Sequence, residues 1–175
     1  GPRHGGANLK ASEMMDEVIA LTGYTTDKAV IKAVIRRITG KELYDKSGLV
    51  YGFGHAVYTI SDPRAELLRT YCEEVAKEQG KMKEFYFYRL FEQCVKEVIM
   101  EDKHRIIPTN VDYYSGFAYD MLRIPRELYT PLFVTSRLVG WIAHNIENKL
   151  YDGKILRPAT RYVGDIVPYK AVEER

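Results

Sequence analysis

Ile31, Val34, Ile35 and Ile38 recur at the i, i+3, i+4, i+7 spacing of one helix face. That apolar period, punctuated by glycine and proline, governs most of the chain. A 3.6-residue repeat buries its stripe as a helix, whereas a half-buried strand needs strict alternation, so the pattern selects an all-α fold. The same reading applies to Ala11 to Leu21, with Met14, Met15, Val18, Ile19 and Leu21 on one broad face and Gly23 as its stop. Asp27 opens the isoleucine helix and Gly40 closes it. Asp62-Pro63 is a start signal, aspartate as N-cap and proline at the first helical position, for a helix that carries Leu68, Cys72 and Val75 and ends near Gly80. Lys83 to Asp102 follows, striped by Phe87, Phe91, Cys94, Val95 and Val98. Asp112 to Arg123 is shorter and stops before Pro125. Thr130-Pro131 opens the last long helix, with Leu138, Ile142, Ile146 and Leu150 at every fourth position and Gly153 at its end.

Between these helices, the loop from Lys46 to Ile60 has no apolar period, and such connections commonly carry function. The tail from Lys154 to Arg175 reads as an extended arm. A length of 175 residues suits one domain or slightly more, and 46% hydrophobic with 29% charged residues is an ordinary globular balance. A net charge of +2 provides no global field for nucleic acid, and no apolar run is long enough to span a membrane. Cys72 and Cys94 fall on apolar helix faces, which points to two buried thiols in a reducing compartment and not to a disulfide or metal site. These features predict a soluble, intracellular, cytoplasmic protein with no permanently bound cofactor and no metal.

Three stretches place a titratable group among small or turn-forming residues: Gly1-Pro2-Arg3-His4-Gly5-Gly6-Ala7-Asn8, Gly52-Phe53-Gly54-His55 and Asn110-Val111-Asp112. Two imidazoles and a carboxylate suit general acid–base chemistry if folding brings them together. His4 lies at a terminus, where mobility is the default, yet Gly5-Gly6-Ala7-Asn8 reads as a loop entering a helix N-terminus, which favours developing negative charge. His55 reads equally as a structural histidine in a glycine turn or as a functional one. Arg64 begins the Asp62-capped helix, where a cation opposes the dipole, so it faces solvent or is held for an anion. Asp112 reads locally as an N-cap, a role Asn110 could also fill.

Arg137, Trp141 and His144 share one helix face. Among apolar neighbours, Arg137 is expected to be partly buried with a carboxylate partner, from a ligand or a salt bridge. Trp141 reads as core and His144 as a satisfied structural histidine. Arg157 is a surface arginine unless the arm docks, in which case it can reach a site on a partner subunit. His104 has no supporting context. Gly1-Pro2 is either a tag remnant or native sequence exposed by truncation, and the chain reads as the latter part of a longer protein.

Five segments in register, GPRHGGAN (1–8), GFGHAVY followed by DPR (52–64), NVDYYSG (110–116), TPLFVTSRLVGWIAH (130–144) and LRPATRYVG (156–164), cover nearly the whole chain. Together they resemble the C-terminal portion of the citrate synthases. The resemblance implies an all-α fold in which residues 1–5 end a large-domain segment, 6–117 form the small, mobile, CoA-binding domain, and 118–175 return to the large domain with an extended tail. It implies condensation of acetyl-CoA with oxaloacetate to citrate and CoA in the tricarboxylic acid cycle. Alternatives are 2-methylcitrate synthesis from propionyl-CoA and a non-catalytic CoA-binding helical fragment. By resemblance, His4 polarises the thioester carbonyl, Asp112 removes a methyl proton and His55 hydrogen-bonds the keto oxygen of oxaloacetate. Arg64, Arg137 and Arg157 clamp substrate carboxylates, Arg157 across a homodimer interface. Leu49, Val50, Tyr51, Gly52, Phe53, Gly54 and Asn110 receive CoA, a co-substrate. The missing N-terminal half of the family is expected to be required, leaving the isolated fragment inactive. Arg3 stands where an aliphatic residue is common, and Ile107-Pro108-Thr109-Asn110 carries one residue more than the usual approach to the aspartate.

Overall fold

A computed structural model describes residues 5–151 and Val163. His4, Arg157, Gly153 and the expected arm at 154–175 therefore lie outside the described residues, Val163 excepted. Six α-helices make up the described chain: α1 (Ala7–Thr22), α2 (Lys28–Thr39), α3 (Pro63–Glu78), α4 (Met82–Lys103), α5 (Val111–Met121) and α6 (Tyr129–Leu150). A short 3-10 turn, Arg126–Leu128, precedes α6. Contacts divide the chain into two compact units, 1–139 and 140–175.

The start and stop signals act as their chemistry dictates. Asp27 caps α2 by accepting the Ala29 N–H at 2.8 Å, and Asp62 caps α3 by accepting the Arg64 N–H at 3.0 Å. Gly23 ends α1 in the left-handed region at φ 59°. His104, given no role from sequence, ends α4 in the left-handed helical conformation at φ 50° and ψ 38°, whereas Gly23 has ψ −153°. The α1 helix starts at Ala7, four residues before its apolar stripe begins.

In the first unit, α5 packs against α3 and α1, and α4 against α2 and α3. The core beneath them joins Met14, Met15 and Val18 of α1, Ile31, Ile35 and Ile38 of α2, and Phe85, Phe91, Val95 and Val98 of α4. Cys72 and Cys94 are buried, unpaired thiols as the apolar faces imply. Burial pushes the Cys72 thiol up to about 12. Tyr113 lies inside the unit, its ring 5.4 Å from Tyr88 and 4.8 Å from Phe53, with its hydroxyl donating to the Tyr88 carbonyl at 2.9 Å. Close approach of α1 and α5 needs Gly116, since a Cβ there would drive into Ser12 Oγ and meet the Asn8 carbonyl at 3.2 Å.

The sequence reading of α6 requires correction. Arg137 is exposed, with its guanidinium over the Phe133 ring at 4.7 Å from the centroid instead of in a buried carboxylate pair. In the second unit, Trp141 is about half exposed, not core. His144 is exposed too, its Nδ1 3.8 Å from Glu147. Leu138, Ile142, Ile146 and Leu150 all retain large exposed surface. Periodicity identifies the apolar face of a helix, but burial needs an element packed on that face. Leu21 departs in the same way, lying exposed near the end of α1.

Candidate active site

The 46–60 loop meets the approach to α5 through backbone pairing. Phe53 and Thr109 form an antiparallel bridge. Around it, the Asn110 N–H donates to the Gly52 carbonyl at 2.9 Å and the Gly54 N–H to the Pro108 carbonyl at 2.7 Å. The Asn110 side-chain amide adds a bond to the Gly54 carbonyl at 2.9 Å. Glycine is required at position 52: φ is +88°, and an added Cβ would stand 2.6 Å from Tyr113 Cβ. This stitching brings residues 52–55 beside residues 108–112, although more than fifty positions separate them in sequence.

His55 leaves the loop with its ring oriented by its own backbone. Nδ1 accepts the N–H groups of Val57 at 2.9 Å and Tyr58 at 3.1 Å. A nitrogen that accepts two N–H bonds carries no proton, so the proton of the neutral ring sits on Nε2. That Nε2 lies 3.1 Å from Arg64 Nη2, itself only a donor. Two N–H groups at this separation cannot bond to each other, so the pair offers donors to an oxygen acceptor placed beside it. Arg64 is held by the buried Asp62, through Nε to Oδ1 at 3.0 Å and Nη2 to Oδ2 at 2.8 Å. Asp62 therefore both caps α3 and fixes the guanidinium, and the hydrogen bonds from Arg64 hold its carboxyl below the usual range despite burial.

Asp112 is the correction to the local reading of this segment. Asn110 caps α5, its Oδ1 accepting the Asp112 N–H at 3.0 Å, and Asp112 lies in the first turn. Among the described residues no donor reaches the Asp112 carboxylate. Burial raises its pKa, Arg64 opposes that rise, Asp62 reinforces it and His55 opposes it. His55, Arg64, Asp62 and Asp112 thus form one electrostatic group. A carboxylate poised upward beside a histidine and an arginine suits proton abstraction next to an anionic substrate.

A cleft of about 400 Å³ adjoins His55 and is lined by Leu49, Val50, Tyr51, Gly52, Phe53, Gly54 and Asn110. The sequence reading missed its other wall: Ile106, Ile107 and Pro108, with Lys103 and Arg105 adding positive charge. The signal for that wall was the basic run Lys103-His104-Arg105 just before a proline turn. Gly5 is the first residue described, its carbonyl accepting the Thr130 hydroxyl at 3.0 Å.

Residues 1–159 match the family model described as citrate synthase, C-terminal domain. The chain belongs to the citrate synthase family. It is 39% identical to the citrate synthase of Deinococcus radiodurans over 94% of this chain and 39% of that protein. It is 34% identical to the 2-methylcitrate synthase of Shewanella oneidensis over 98% of this chain and 40% of that protein. Its fold is similar to that of Thermoplasma acidophilum citrate synthase in ternary complex with carboxymethyl coenzyme A and oxaloacetate. The TM-score is 0.65 at 29% identity, covering 100% of this chain and 43% of that one. The chain thus spans about two-fifths of the length of the curated relatives it matches.

As a citrate synthase family member, the chain brings together Arg64, His55, Asp112, Asn110 and the 49–54 loop. Arg137 has no part in that electrostatic group, and His4 and Arg157 lie outside the described residues. Sequence reasoning also missed Glu92. This residue stands seven positions from both Phe85 and Ile99, at an otherwise apolar point of the α4 stripe, and is 4% exposed. Its carboxylate accepts the Thr109 hydroxyl at 2.7 Å, the Lys96 ammonium at 2.6 Å and the Tyr114 hydroxyl at 2.5 Å. Burial alone would raise its pKa, but Lys96, Tyr114 and Thr109 more than offset that and hold it below the usual range.

Proposed function

We propose that the protein carrying this sequence is a citrate synthase that condenses acetyl-CoA with oxaloacetate. The observation that carries this reading is the pair of donors at His55 Nε2 and Arg64 Nη2, set beside the half-buried Asp112 carboxylate. Asp112 takes a proton from the acetyl methyl, and His4 stabilises the enolate oxygen of the thioester. The enolate carbon then bonds to the keto carbon of oxaloacetate. His55 Nε2–H stabilises the charge that grows on the keto oxygen, and that oxygen takes up one proton, balancing the one given to Asp112, to become the hydroxyl of citryl-CoA. Water cleaves the thioester, releasing citrate and CoA. A methyl next to a thioester is a weak acid, so a carboxylate removes its proton only where the enolate is stabilised in the same step.

Arg64, Arg137 and Arg157 hold the substrate carboxylates, Arg137 and Arg157 with two parallel hydrogen bonds each and Arg64 through the N–H groups that Asp62 leaves free. The cleft between 49–54 and 105–108 receives CoA, with Lys103 and Arg105 suited to its phosphates. Residues 6–117 act as the mobile small domain, bounded by large-domain segments 1–5 and 118–175. The complete protein works as a homodimer, and residues 1–175 by themselves do not turn over. The exposed apolar stripe of α6 supports a need for further protein surface. Two buried free thiols fit the cytoplasm and its tricarboxylic acid cycle. No described helix is long and apolar enough to cross a membrane.

The test is release of free CoA thiol from acetyl-CoA and oxaloacetate, measured on the complete protein and on 1–175 with and without the N-terminal half. Turnover by 1–175 alone overturns the fragment claim; no turnover by the complete protein with either acyl-CoA overturns the function. The likeness to a 2-methylcitrate synthase supports a second reading, with propionyl-CoA as substrate. One methylene is worth only about 1–3 kcal/mol of discrimination, so kcat/KM for the two acyl-CoAs decides between them.

A further inference from the structure

We propose that Glu92 is a positioning residue for the Asp112 base, holding both flanks of its turn against α4. This inference rests on the reading of Asp112 as the group that removes the acyl-CoA α-proton. Thr109 lies three residues before Asp112 and Tyr114 two after it, and their hydroxyls bond to opposite oxygens of one carboxylate, Thr109 to Oε1 and Tyr114 to Oε2. Lys96, one helical turn along α4, bonds to Oε1 as well and balances the charge. The Arg69 and Arg89 guanidinium groups stand farther out, each 3.9 Å from the carboxylate.

The need for such an anchor follows from the base itself. With no described donor on the Asp112 carboxylate, only its backbone sets where the base stands. That backbone is bonded on one side to the 52–54 loop, which has no helix of its own to stiffen it. On the other side the Tyr113 hydroxyl reaches the Tyr88 carbonyl and the Tyr114 and Thr109 hydroxyls reach Glu92. Glu92 thus ties the base to a 22-residue helix whose inner face is core. A site carried on a rigid element keeps its geometry better than one carried on a loop. Glu92 acts on Asp112 through the Thr109 and Tyr114 hydroxyls and the backbone between them, so it sets where the base stands.

The experiment uses the complete protein with acetyl-CoA and its methyl-deuterated form, or the α-deuterated propionyl-CoA if that is the better substrate. Variants are Glu92→Gln, Thr109→Val and Tyr114→Phe, the last two each removing one arm while leaving Glu92 paired with Lys96. A displaced base slows proton removal specifically. The expected result is a roughly 10–100-fold fall in kcat with little change in either KM, as about 1 Å of misplacement produces. The deuterium isotope effect on kcat rises above that of the wild type. A mere loss of folded protein lowers kcat and leaves the isotope effect where it was, and that result overturns the proposal. So does an unchanged kcat. If Glu92→Gln fails to fold, the two hydroxyl variants decide by the same criteria. Wild-type protein that turns over neither acyl-CoA defeats the functional reading and this proposal with it. Active wild type with indifferent variants defeats only the role of Glu92.

Discussion

The Asn110 side chain accepts the Asp112 backbone N–H at 3.0 Å while its amide donates to the Gly54 carbonyl at 2.9 Å. One residue therefore caps α5, frees the neighbouring carboxylate from capping and ties the His55 loop to the helix. Asn110→Ala is expected to cost about 1–2 kcal/mol, the usual penalty for a lost cap. Asn110→Asp keeps the cap acceptor but turns an oxygen toward the Gly54 carbonyl in place of a donor, so it should recover only part of that stability while raising the KM for acyl-CoA. Urea midpoints and steady-state kinetics on the two variants separate the functions. Equal loss of stability in both would contradict the division of labour.

Asp112 carries a cost that follows from its burial. Its folded pKa lies above the ordinary 3.8, with desolvation the leading cause. For a carboxyl raised in this way, the stabilising contribution is complete below the unfolded value and disappears as pH rises through the folded one. At neutral pH the charged form therefore weighs against folding. Asp112→Asn should raise the thermal midpoint at pH 7, and that gain should vanish toward pH 3, where the wild-type carboxyl is neutral. The same change should cut turnover by about 10²–10⁴-fold, the usual worth of a general base, and leave oxaloacetate binding intact. A lower midpoint at pH 7 would count against the burial argument.

What the sequence disclosed was local. The isoleucine stripe of α2, the Asp62-Pro63 start and the Gly23 stop each depend on residues within a turn or two, and each forms as read. The pairing of Phe53 with Thr109 is a backbone contact across the chain, and nothing in either segment's composition encodes it. Glu92 was hidden for a related reason: a glutamate within an apolar stripe reads as a surface break until its hydroxyl partners from α5 and its approach are seen. Asn110 and Asp112 are both good caps two positions apart, so local preference could not choose between them. The motif resemblance reached further than the residue chemistry, because five segments in fixed order carry information about the fold that no single one holds. It did not reveal that Arg137 and Trp141 stand exposed in this chain.

Gly52 and Gly54 have almost the same φ, +88° and +89°, but different surroundings. A Cβ at Gly52 would meet Tyr113 Cβ at 2.6 Å and Cα at 2.9 Å, whereas one at Gly54 would meet Ile107 at 3.9 Å. Gly54→Ala should therefore show only the strain of a left-handed backbone, about 1–2 kcal/mol. Gly52→Ala should cost more and also raise the KM for acyl-CoA, because neither the Tyr113 backbone nor the core behind it can yield. Denaturant midpoints for the pair give the test. Equal destabilisation would show that the clash is relieved by movement of the loop.

On the opposite side of α4, charge builds a surface ladder to α2. Lys28 and Lys32 bond to Glu97 at 2.9 and 2.8 Å, Lys32 and Arg36 to Glu101 at 2.7 Å each, and Arg36 to Asp102 at 3.1 Å. Lys32 and then Lys28 hold the Glu97 carboxyl down at about 2, from an ordinary 4.5. A lowered carboxyl stabilises the fold above its unfolded pKa and loses that contribution as pH falls through the folded value. Thermal stability should thus decline between about pH 5 and pH 2, and Glu97→Gln should flatten that part of the profile. Because the ladder is solvent-exposed, Glu97→Gln should lower the neutral-pH midpoint by only about 1–2 °C, less still at high salt. A variant that matched the wild-type acid profile would mean that the bonded lysines do no more for Glu97 in the folded chain than solvent does in the unfolded one.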